Sequence, residues 1–209
     1  MEALSGGSMT DTPETRYTRS ADGTNLAYQV SGEGPHDLVF LHGIAVPIDI
    51  LTEDPGFIRV RRRLDSFGRT VWFDMRGWGA SEGDPRDSLA GEIFDGDHTA
   101  VLDAVGFRQP AFVAVAASGS RAIHFSVTHP ERVSALVLVD SYAHYVHEDD
   151  YPWGVPAEHL DRFVDALKER WATAAALERV APSRRADQRF AAWLARSARF
   201  AGGPDLMAP

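Results

Sequence analysis

"FVAVAASGSRAIHFSVTHPERV", Phe112 to Val133, is the stretch whose reading decides the fold. It opens as a short apolar strand, the pattern of a segment covered on both faces. Ala116 to Ser120 are all small, as a sharp turn demands. A helical pattern follows from Ser120 to Thr128, and Pro130 stops it. Working outward, "DLVFLHG", "RTVWFD" and "VSALVLVD" are further short, unbroken apolar runs. Between them, Phe57 to Phe67 and Leu89 to Val105 read as helices, the second with Ile93, Val101, Leu102 and Val105 on one side. Tyr17 to Arg19 and Asn25 to Val30 read as two strands around the turn Ala21 to Gly23. Strands alternating with helical patterns predict an α/β fold with a mostly parallel sheet flanked by helices.

Composition narrows the function classes. The chain has 209 residues, enough for one ordinary domain, and 44% hydrophobic residues, enough for a real core. Its net charge of -9 repels phosphate backbones, so nucleic acid is not an expected partner. The basic run "RVRRRL", Arg59 to Leu64, reads as a solvated helix face. With no cysteine, disulfides and thiolate chemistry are excluded. No apolar run approaches the ~20 residues of a membrane span. No secretory signal is legible, which predicts a cytoplasmic protein.

Residues 1–15 read as a disordered tail or tag, and 16–142 as the α/β core. Residues 143–209 read as a linker and a helical cap region. Its linker, "YAHYVHEDDYPWGVP", is aromatic, acidic and broken by prolines. Helical spacing then returns in Leu160, Phe163, Leu167 and Trp171, and again in Phe190, Trp193, Leu194 and Ser197. "HYVHED", His144 to Asp149, lacks standard zinc spacing, so no metal site is expected. In "DMRGWGASEG", Asp74 and Arg76 are expected to shape a tight glycine loop through charge-assisted hydrogen bonds, with no acid–base role.

"RYTRSADGTNLAYQVSGEGPHDLVFLHG", "RRLDSFGRTVWFDMRGWGASE" and "HPERVSALVLVDSYA" together resemble the α/β-hydrolase superfamily. More narrowly, they resemble the hydrolase-like domains found N-terminal to class III adenylate/guanylate cyclases. "DYPWGVP" and the helices after it resemble that subgroup's cap region. The resemblance reaches nearly everything from Arg16 onward. It implies chemistry of carboxylic-ester type, with no cofactor. The family's nucleophile sits in Gly-x-Ser-x-Gly on a strained strand-to-helix turn. An ungapped count back from "HPERV" puts Ala116 on the nucleophile, Ala114 and Ser118 on the flanking glycines, and Gly119 on an extra one. A second register makes Ser118 the apex and an alternative nucleophile, at the cost of shortening the helix by about two residues. Against that register, Ser118 and Ser120 read as helix N-caps. The backbone N–H groups of Ile44 and Ala117 are implied as the oxyanion hole. Asp140, closing its strand, is the acid candidate.

The family orders its triad Ser, then acid, then His, with the last two on loops after later strands. The chain reads as lacking those C-terminal strands and the histidine, which would leave 133–139 as an apolar edge open to self-association. Two main readings follow. One is an ester hydrolase impaired or silent at Ala116. The other is a regulatory module, associated with a nucleotide cyclase, that holds a small apolar or ester ligand. Its pocket would be lined by His42, Gly43, Trp78, Tyr145, Tyr151 and Trp153. A pseudoenzyme with a scaffolding role only is the third.

Overall fold

The computed structural model describes residues 12–43, 46–87, 90–173 and 181–203. In chain order it places β1 (Arg16–Arg19), β2 (Asn25–Ser31), β3 (His36–Leu41), α1 (Ile48–Leu51), α2 (Pro55–Asp65) and β4 (Gly68–Phe73). Then come α3 (Gly91–Val105), β5 (Ala111–Val115), α4 (Ser118–Thr128), β6 (Ala135–Val139), α5 (Ala157–Glu169) and α6 (Gln188–Ala201). The six strands form one sheet in the order β1-β2-β4-β3-β5-β6. β1 pairs antiparallel with β2, and β2 antiparallel with β4. β4, β3, β5 and β6 run parallel.

Alternation along the central strands divides the core in two. Leu26 and Tyr28, Val39 and Leu41, and Val71 and Phe73 face α3 and α4, meeting Phe94, Val101, Leu102, Ala122 and Phe125. Ala27, Phe40 and Trp72 face the other way, toward Ile48, Ile50 and Leu51 of α1. That second layer also takes Phe190, Trp193 and Leu194 of α6. The amphipathic stripe of α6 is therefore buried on the sheet and not in a cap. Trp193 donates its indole N–H to the Ile50 carbonyl at 3.2 Å, and its ring packs on Phe57. Arg184, just before α6, pairs with the buried Asp54 at 3.2 Å.

Local chemistry moves several predicted boundaries. α2 starts two residues ahead of Phe57 because Asp54 caps it, accepting from the N–H groups of Gly56 and Phe57, with Pro55 in the first turn. Within the basic run Arg61 is the exception to a solvated face. It is buried, bonds Gln29 and Ser31, and lies over Trp72. α3 ends at Gly106, whose φ of 73° suits glycine. Leu89, where that helix was expected to start, and the side chains of Phe163 and Leu167 lie outside the described residues. Among the described residues, no helix is long and apolar enough to cross a membrane.

Candidate functional site

β5 and α4 meet in a turn at Ala116 and Ala117. Ala116 has φ 51°, the left-handed region that residues with a Cβ rarely adopt. Two backbone bonds hold it there: its N–H donates to Val139 O and its carbonyl accepts from Gly119 N–H, each at 3.0 Å. The turn is also crowded. A Cβ on Gly43 would stand 2.2 Å from Val115 O and 2.9 Å from the Ala116 Cβ. One on Gly119 would meet Ser141 at 2.3 Å. The apex of the bend is thus Ala116, and it presents a methyl group.

Ser118 is not at the apex. It is the first residue of α4, buried, and its hydroxyl donates to the His42 carbonyl at 2.9 Å. Ser120 donates back to Ala117 O. Neither serine caps the helix, contrary to the expectation from sequence: Ala117 occupies the N-cap position with no side-chain bond. Ala117 is exposed beside the apex, and Ile44 lies outside the described residues. Asp140 also holds a positive φ, 50°, and is exposed. Its carboxylate forms no ion pair with a histidine among the described residues.

Beside the elbow lies a cavity of about 20 Å³, room for one or two waters. His42, Trp78, His98, Ser118 and Arg121 contribute to its wall. Leu41, Phe73 and Phe94 are among its apolar lining. The loop after β4 frames it. Asp74 accepts from the N–H groups of Ile48 and Ala80, both at 2.9 Å, and burial pushes its carboxyl up to about 7. Arg76, itself buried, bonds Asp97 at 2.6 and 2.9 Å and Asp22 at 2.7 Å, and these partners hold its pKa above the ordinary arginine value. Both side chains thus fix the loop in place. Tyr145, Tyr151 and Trp153 do not line this cavity. Tyr151 and Trp153 pack on each other in the linker, where Trp153 is 80% exposed.

Solved structures share this fold. An esterase from Exiguobacterium antarcticum superposes with a TM-score of 0.73 at 18% identity, over 91% of this chain and 70% of that one. The chain has the α/β-hydrolase fold. No family model matches it. Among curated proteins, it is 33% identical over 144 residues to a pimeloyl-[acyl-carrier protein] methyl ester esterase of Chromobacterium violaceum. That match takes in 68% of this chain and 51% of the esterase. It is 30% identical over 141 residues to a 2-hydroxy-6-oxononadienedioate/2-hydroxy-6-oxononatrienedioate hydrolase of Burkholderia vietnamiensis, over 62% and 46% of the two chains. The chain spans about half the length of the curated relatives it matches.

Two residues on the α/β-hydrolase scaffold escaped the sequence reading. His98, on α3, is 2% exposed. It donates from Nδ1 to Phe94 O at 3.0 Å, which leaves Nε2 as the lone-pair nitrogen, and that atom is buried without a partner. Burial drives its pKa down to about 4, with Arg121 adding to the effect, so the ring is neutral. Arg121, on α4, has its pKa lowered by burial too. It is only partly buried by its own exposure, and nothing in the local sequence pattern flags it.

Proposed function

We propose that this chain uses an ester-hydrolase scaffold to hold a small ligand without turning it over. One observation carries the reading: the apex of the elbow is Ala116, with the strained φ of 51° and no oxygen to attack an acyl carbon. Ser118 does not replace it, because its proton is already given to a carbonyl and among the described residues no base accepts it. Likeness to a methyl ester esterase supports an ester or a related acyl compound as the ligand class. The likeness of the strand and loop motifs to cyclase-associated hydrolase-like domains supports a regulatory role, in which occupancy of the site would bias a nucleotide cyclase.

Hydrolysis of p-nitrophenyl acetate tests this. The purified chain should release nitrophenol no faster than a buffer blank, apart from the weak contribution of any oxyanion donors. Saturable turnover that disappears in Ser118→Ala would overturn the proposal.

A further inference from the structure

The His98 ring packs among Phe73, Phe94 and Phe125, with centroids 4.9, 4.0 and 5.5 Å away. A carbonyl only accepts, so the 3.0 Å contact with Phe94 O puts the ring proton on Nδ1. Nε2 is then a bare lone pair. It is buried, and among the described residues nothing donates to it. A buried acceptor left unpaired is costly, and natural interiors almost always satisfy it. His98 also lines the small cavity beside the turn, in company with the apolar Leu41, Phe73 and Phe94. Burial keeps the ring neutral, so the lone pair is available at neutral pH.

A lone pair repels an anion and has nothing to give to an ester or ether oxygen. Arg121, on the same cavity wall, disfavours a cation. Among the described residues, no three ligand side chains stand where they could share a metal ion. A neutral O–H donor meets all of these conditions. From the orphaned Nε2 and the cavity that His98 lines, we infer that the site takes the hydroxyl of a small neutral alcohol, which donates to His98 Nε2. A cavity of about 20 Å³, room for one or two waters, holds the hydroxyl and its first carbon. This inference rests on the ligand-binding reading above and deepens it: the group recognised here is a hydroxyl, which an ester alone lacks. An analogue without the donor leaves the nitrogen unpaired, and that penalty is the source of selectivity.

The test compares ethanol with its isomer dimethyl ether, which has the same atoms and no donor. Each is titrated into the full chain, isotopically labelled at the histidine nitrogens and followed by NMR. Ethanol should move the His98 Nε2 resonance saturably and bind more tightly than the ether by about tenfold, the effect of one hydrogen bond. His98→Phe, which keeps an aromatic ring and loses the acceptor, should erase that preference. His98→Gln regains an acceptor oxygen and should restore part of it. If neither variant folds, the two isomers on the unmodified chain still decide the matter. Equal affinity for the isomers would overturn the hydroxyl assignment. An Nε2 resonance that ethanol leaves unmoved would overturn it as well, and would leave the cavity to solvent alone. Nitrophenyl ester hydrolysis tests the silent-site reading separately, so the two failures are distinguishable.

Discussion

At Ala116 a methyl group occupies a backbone position that disfavours any side chain. The φ of 51° persists because β6 and α4 each grip the residue through a backbone bond, and because Gly43 and Gly119 let neighbouring backbone close in. His98 offers a measurable consequence of burial at the same scale. Its folded pKa of about 4 lies below the ordinary 6.5, so its neutral form favours the folded state. That contribution is complete above pH 6.5 and is lost as pH falls through 4. Between pH 7 and 4.5 the native chain should lose about 2–3 kcal/mol that a His98→Leu variant keeps, read by urea unfolding at both values. Parallel losses in the two proteins would contradict it. The sharp turn between β5 and α4 was legible, since proline and strand fixed both sides of it. His98 and Arg121 were not legible, because they sit on separate helices and meet only through the packing of α3 and α4 on the sheet.

Among the elements, the strands were the most readable, because short runs of Val, Leu, Phe and Trp have few other places to go. α6 was readable as a helix but misplaced. Helical periodicity says that one face is buried and does not say against what. The answer came from Trp193 and Phe190 filling the layer beside Trp72, on the same side as α1 and α2. β6 presents the opposite situation. Among the described residues it pairs with β5 alone, and Val137, Leu138 and Val139 are 48%, 43% and 46% exposed. An apolar strand with one free edge is a template for another strand. A second copy pairing edge to edge is the proposed occupant. Light scattering should then show a dimer, and Val137→Lys should shift it toward monomer. A monodisperse monomer of the unmodified chain would rule the pairing out.

For the molecule as a whole, the α/β-hydrolase fold provides the frame and a handful of residues decide what the frame does. The buried Arg76–Asp97 pair and Asp74 hold the loop after β4, which lines the cavity beside the turn. The most direct measurement is covalent labelling with a fluorophosphonate followed by intact-mass analysis, since that reagent reports an activated serine whatever the natural substrate. The account predicts an unmodified mass. A stoichiometric adduct mapped to Ser118 would contradict it.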